Sequence, residues 1–152
     1  MIDLKLNSSA DLRKQGKSFY WASFFLPKTY KKKAGTLYSI CRYFDDIADK
    51  YSQDQTIYLK NSIEDIRTNK NNKVNIFLQK NEINNLIFID LIEGLILDQK
   101  KIRIQNKEEL IKYSYHVAGT VGLMMSKIIG VKNKTATKSA IDLGIGMQLT
   151  NI

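Results

Sequence analysis

Apolar residues recur every three or four positions along most of this chain, the spacing of one buried helical face. Roughly Ser9 to Leu26 reads as a first helix, with Ser8 or Ser9 as its N-cap, and Pro27 interrupts it. A second helix starts at Lys28 or Thr29 and runs to about Tyr51, and a third covers Thr56 to Arg67. The polar run Thr68-Asn69-Lys70-Asn71-Asn72-Lys73 reads as a solvated connector. Periodicity resumes from Glu82 to Leu97, and Lys100 to Asn106 reads as a connection. Lys107-Glu108-Glu109 then opens an apolar helix reaching Ile129, with Gly130 as its stop. A last helix starts near Thr135 and is still apolar and helical at Ile152, with no cap, charged tail or turn to close it, so the expectation is a truncated chain. One proline and eight glycines leave few places to break helices, and the class predicted is all-α.

Composition narrows the function classes. A hydrophobic fraction of 43% and a charged fraction of 26% are those of an ordinary globular domain, and 152 residues suffice for one core. No N-terminal apolar run follows the first lysines, and no uncharged apolar stretch is long enough for a membrane span. A lone cysteine, Cys41, excludes an intramolecular disulfide and fits a reducing compartment. The expected location is the cytoplasm, with peripheral contact at the inner membrane face left open. The net charge of +9 suits a polyanionic partner, but the excess is nearly all lysine. Lysine, asparagine and isoleucine share AT-rich codons, so part of the basicity follows genome composition. With neither an arginine-rich recognition helix nor a stacking motif, nucleic acid is not an expected partner.

The segment Leu37 to Asp49 is the most informative. At helical spacing Leu37, Cys41, Phe44 and Ala48 form an apolar stripe that should face the core. One residue on, Tyr38, Arg42, Asp45 and Asp49 form a second stripe, rotated by about 100°. Ionisable groups therefore border the buried face. Asp45 and Asp49 stand one turn apart and repel each other unless a cation neutralises them. Mg²⁺, which takes one or two carboxylates plus substrate phosphate oxygens, fits that need, while Arg42 within reach of Asp45 or Asp46 relieves part of the repulsion. From spacing alone, a solvated acidic helix end explains the pair better than a metal site does.

Lys17-Ser18-Phe19-Tyr20-Trp21-Ala22, Leu26-Pro27, Leu37-Tyr38, Cys41-Arg42 and Asp45-Asp46-Ile47-Ala48-Asp49 together resemble the squalene/phytoene synthase family. Further on, Tyr113-Ser114-Tyr115-His116-Val117-Ala118-Gly119-Thr120-Val121-Gly122 is similar to its Y-x-Y-x-V-A-G-x-V-G helix. Gln148-Leu149-Thr150-Asn151-Ile152 is similar to the opening of its Q-L-x-N-I-x-R-D-x-x-x-D helix. The resemblance implies an isoprenoid-synthase-type helical bundle around a central cavity, incomplete at the C-terminus, with residues 1–152 as the N-terminal portion of one domain. It implies an enzyme that condenses two prenyl diphosphates with Mg²⁺ (or Mn²⁺) assistance, geranylgeranyl diphosphate to phytoene being the leading case. Squalene or presqualene diphosphate synthesis from farnesyl diphosphate is the rival, and a non-catalytic helical assembly subunit is the alternative of another class.

Residue by residue, the resemblance makes Asp45 and Asp49 the first metal motif, with Tyr38 and Arg42 facing the diphosphate. Ser18 and Phe19 fall in the entry block near substrate, Tyr113, Val117 and Val121 on the cavity wall, and Gln148 and Asn151 at the start of the second metal helix. The spacing adds that Tyr113, Val117 and Val121 share one helical stripe, that Gly119 and Gly122 admit a close neighbouring helix, and that Gln148 and Asn151 share one face. Gly16 stands where the family often carries serine. The R-D-x-x-x-D carboxylates have no counterpart within 1–152, so the polypeptide alone is expected to be inactive. Bland readings hold elsewhere: His116 as a packing or surface residue, Cys41 as buried and inert, Lys31-Lys32-Lys33 as a solvated face, and Asp98 as an exposed helix-end acid or a site neighbour.

Overall fold

The structure, a computed structural model, describes residues 17–50, 52–99 and 104–151, with side chains from Tyr20 onward. In chain order the helices are α1 (Lys17–Ala22), a 3-10 turn (Ser23–Phe25), α2 (Lys28–Asp49), α3 (Gln53–Arg67), α4 (Lys73–Lys80) and α5 (Asn85–Asp98). After them come α6 (Lys107–Ser114), a π-helical turn (Tyr115–Gly119), α7 (Thr120–Ile128) and α8 (Lys134–Leu149). No strand occurs among the described residues. The all-α class expected from periodicity is the class observed.

Asparagine side chains start four of the eight α-helices among the described residues. Asn72, Asn84, Asn106 and Asn133 each accept a hydrogen bond from a backbone N–H of the first turn of α4, α5, α6 and α8. Glu109 reciprocates at α6, accepting from the Asn106 amide at 3.0 Å and from Gln105 N at 2.9 Å. The asparagine content that looked compositional therefore has a structural use. Gly130, at φ +80°, ends α7 as predicted.

Several boundaries differ from those read in sequence, among them the start of α3 at Gln53 instead of Thr56 and of α5 at Asn85 instead of Glu82. The N-cap at Ser8 or Ser9 lies outside the described residues, and the described part of the first helix breaks at Ala22 into a 3-10 turn before Pro27. The connector from Thr68 is correctly placed but ends at Asn72, because Lys73–Lys80 forms a helix. That helix is closed by Glu82 at φ 54° with Ile83 N bonding back to Leu78 O at 2.9 Å, a left-handed stop made without glycine. Asn75, almost wholly buried, donates to Asp65 O and Lys70 O and so fixes the connector from inside. Finally, the helix expected to run unbroken from Lys107 to Ile129 contains the π turn, and α8 stops at Leu149, where Thr150 N bonds Gly146 O and Asn151 N bonds Gln148 O.

The core lies where α2, α3, α4, α5 and α7 meet. Leu37, Phe44 and Ala48 of the predicted apolar stripe are buried, but Ile40 takes the fully buried place that the spacing had given to Cys41, and Phe44 meets Phe88 of α5 edge-on at 5.4 Å. Cys41 is partly buried beside that stripe, and its thiol is pushed up to about 12 by desolvation, then by the Asp45 charge. A thiol so held stays protonated and unreactive at neutral pH.

The α8 helix joins by a different means. A Cβ at Gly122 would collide with Ala140 O, and one at Gly144 would stand 2.5 Å from Ala118 O. Backbone thus meets backbone, and the close approach expected at Gly122 has a reciprocal glycine on the partner helix. Gly119 faces Ile141 and Ile145 of the same helix.

Candidate functional site

The second stripe of α2 is organised by Arg42. Its Nη1 donates to Asp45 Oδ2 at 2.6 Å, its Nη2 meets Asp46 Oδ1 at 2.6 Å, and Asp49 Oδ2 lies 3.8 Å from the same Nη2. One guanidinium therefore spans three carboxylates. Burial opposes the Arg42 charge, but Asp45, Asp46 and Asp49 outweigh it and hold the group above its ordinary range. Asp45 is half-buried, and its carboxyl is raised: desolvation is the largest cause, Arg42 works against it, and Asp49, Asp46 and Asp98 add repulsion.

The end of α5 comes to the same region, beside the last turn of α2. Gln99 holds it there, donating to Ala48 O at 3.3 Å while its Oε1 accepts from Thr56 Oγ1 at 2.8 Å. The last turn of α5 is thereby tied to the last turn of α2 and the first of α3. Tyr113 on α6 donates to Asp98 Oδ1 at 2.9 Å. Its phenol is pushed up to about 12, chiefly by desolvation and then by Asp98 and Asp45, while a hydrogen bond from the Gln148 side chain works the other way. Asp45, Asp98, Tyr113 and Gln148 thus converge from four helices that are far apart in sequence.

Not every expected residue joins that group. Val117 lies against Gly94 of α5, where an added Cβ would stand 3.2 Å from its Cγ1, and Val121 packs on the core. The stripe read as straight crosses the π turn, whose wider winding changes its direction. Asn151 is exposed in the turn past Leu149, so it does not share a helical face with Gln148 as the spacing had suggested; the helix has already closed. Tyr38 stands partly exposed on the Arg42 stripe, as predicted. Ser18 and Phe19 fall within α1, outside the residues whose side chains are described, and Gly16 lies outside the described residues altogether. His116 packs on Gly94 and places Nδ1 3.1 Å from Asp90 O, consistent with its packing role.

Gln99 was missed by sequence reasoning. An uncharged residue at a helix end gave no signal, because its role depends on three elements meeting. Asp98 carried a weak signal: it is the exposed last residue of α5, as one reading had it, and it also accepts from Tyr113, as the other requires.

A profile of the squalene/phytoene synthase family matches residues 12–152. The chain belongs to that family. It is 28% identical to a 15-cis-phytoene synthase of Paracoccus sp., across all of this chain and 56% of that protein. It is 31% identical to a phytoene synthase of Thermus thermophilus, across 93% of this chain and 51% of that protein. A crystal structure of a dehydrosqualene synthase in complex with ligand superposes with a TM-score of 0.82 at 29% identity, over 95% of this chain and 53% of that one. The isoprenoid-synthase-type helical fold expected from the motifs is therefore the fold found. The chain spans about half the length of the curated relatives it matches.

A divalent cation fits the donor set. Among the described residues no three acidic, histidine or cysteine side chains are grouped so that they could hold a metal ion by themselves. Asp45 and Asp49 nevertheless offer hard oxygen donors under mutual repulsion, with Asp98 adding negative potential, and a cation relieves that repulsion. No helix among the described residues is long and apolar enough to cross a membrane.

Proposed function

We propose that this chain is the N-terminal portion of a single squalene/phytoene synthase domain and supplies one side of a site that condenses two prenyl diphosphates, geranylgeranyl diphosphate to phytoene. The observation that carries the reading is the meeting of Asp45, Asp98, Tyr113 and Gln148 in a chain that matches the family along nearly its whole length. Asp45 and Asp49 are the ligands for Mg²⁺ or Mn²⁺. When bound, the cation supplies positive charge against the diphosphate as it departs. Tyr113, kept protonated, positions Asp98 through its hydrogen bond. Tyr38 and Arg42 face the diphosphate from the same stripe of α2, and Gln148 serves the opposite edge. Ser18, Phe19, Val117 and Val121 belong to the entrance and apolar wall, where water must be kept from the allylic cation.

The R-D-x-x-x-D partner motif has no counterpart within 1–152, so this polypeptide alone is expected to yield no product. The exposed aromatics Trp21, Phe24 and Phe25, with Lys31 Nζ 3.8 Å from the Phe24 ring centroid, support peripheral membrane contact of the kind that long prenyl substrates favour. A second reading, condensation of farnesyl diphosphate, has one observation in its favour, the likeness to a dehydrosqualene synthase.

The test joins residues 1–152 to the remaining part of the Thermus thermophilus phytoene synthase and supplies Mg²⁺ with each diphosphate. Phytoene from the hybrid and none from 1–152 alone is the expected result. A C30 product from farnesyl diphosphate would favour the second reading, and turnover by 1–152 alone would overturn the half-site.

A further inference from the structure

Arg42 occupies the place that a cation would take. Its two terminal nitrogens contact Asp45 and Asp46 at 2.6 Å and approach Asp49 at 3.8 Å, so the oxygens that a metal needs are already engaged by a fixed positive charge. The same residue leaves its Nε shielded from solvent and without a hydrogen-bond partner. An arginine that satisfies its fork and strands its third nitrogen is arranged for the carboxylates at the expense of its own donor. Arg42 and its three acids all lie on α2, so a change of the Arg42 rotamer, without any movement of the helix, would release the acids.

We propose that Arg42 is a resident counter-ion that competes with the divalent cation for Asp45, Asp46 and Asp49, so that cation loading releases its guanidinium. The inference rests on the metal reading of Asp45 and Asp49 given above and deepens it. In the cation-free chain, Arg42 prevents three neighbouring carboxylates from repelling one another. Once the cation arrives, the released guanidinium is a bidentate anion binder beside it. Binding is thereby ordered: cation first, diphosphate second.

Two measurements on the 152-residue chain test this. In the first, Mn²⁺ binding is measured by electron paramagnetic resonance for the parent and for Arg42→Gln. Removing one positive charge from beside the site should tighten Mn²⁺ by roughly tenfold. In the presence of Mn²⁺ the same variant should bind inorganic pyrophosphate at least about tenfold more weakly than the parent. The second needs no variant. The chain has four arginines, Arg13, Arg42, Arg67 and Arg103, so their side-chain Nε–H signals can be followed by NMR as Mg²⁺ is added. The Arg42 signal should shift while that of Arg67, paired with Glu64, stays in place.

Equal Mn²⁺ affinity in parent and variant, or an Arg42 signal unmoved at saturating Mg²⁺, would overturn the proposal while leaving the metal reading intact. Failure of both proteins to bind Mn²⁺ would overturn both. Binding by the variant alone would be the strongest support.

Discussion

Helices α2 and α8 both bear residues of the candidate site, yet they are held by different physics. The 22 residues of α2 include seven that are buried, and its apolar stripe interlocks with α3, α5 and α7. None of the 16 residues of α8 is buried. Its contacts run through Gly122 and Gly144, where backbones touch, and its other flank exposes Leu143 and Met147. The aspartates of α2 therefore stand on a finished platform. Gln148 stands on a helix attached along one seam only.

That contrast can be broken from either side. Phe44→Ala removes a fully buried ring that packs on Phe88 and should cost about 3–5 kcal/mol in urea denaturation. Gly122→Ala drives a methyl into Ala140 O and should cost about 1–3 kcal/mol. Its signature should be regional, with faster amide exchange in α8 and unchanged protection in α2. Gly146→Ala, on α8 itself but with nothing within 4 Å of the new methyl, should instead stabilise by about 0.5–1 kcal/mol. Two glycine-to-alanine changes of opposite sign would establish that α8 is held by close approach.

The smallest expected effect is at the site itself. The Asp45 carboxyl is raised, chiefly by desolvation, so the fold favours its protonated form. The stability it contributes is present below the unfolded pKa and is lost as pH rises through the folded one. At neutral pH Asp45→Asn should therefore leave the melting temperature unchanged or slightly higher. Asp45 is more than a third exposed and so is screened by solvent, which keeps the gain within about 1 kcal/mol. A site residue whose removal stabilises the chain is kept for function and not for folding.

Much of this was legible in the sequence, and the reasons differ by feature. The two stripes of α2 are a local property of spacing, so Leu37 and Phe44 inside with Arg42 and Asp45 beside them could be read directly. The π turn could not, because ideal helical spacing through Tyr113 and Val117 hides one extra residue of winding. The α4 helix escaped because its N-cap, Asn72, read as part of a polar loop and Glu82, which closes it, read as the start of the next helix. Gln99 and Asp98 act through elements far away in the chain, and only the fold brings them to Ala48, Thr56 and Tyr113.

The central claim is that Asp45 and Asp49 form the cation-binding part of a diphosphate site. Mn²⁺ titration of the parent chain against Asp45→Asn and Asp49→Asn in the presence of inorganic pyrophosphate tests it most directly. The account predicts that each variant weakens Mn²⁺ binding by at least about tenfold. Its affinity in the parent should also fall away on acidification at a higher pH than an ordinary aspartate would give, because Asp45 takes up a proton early. Equal affinities in all three proteins would contradict it.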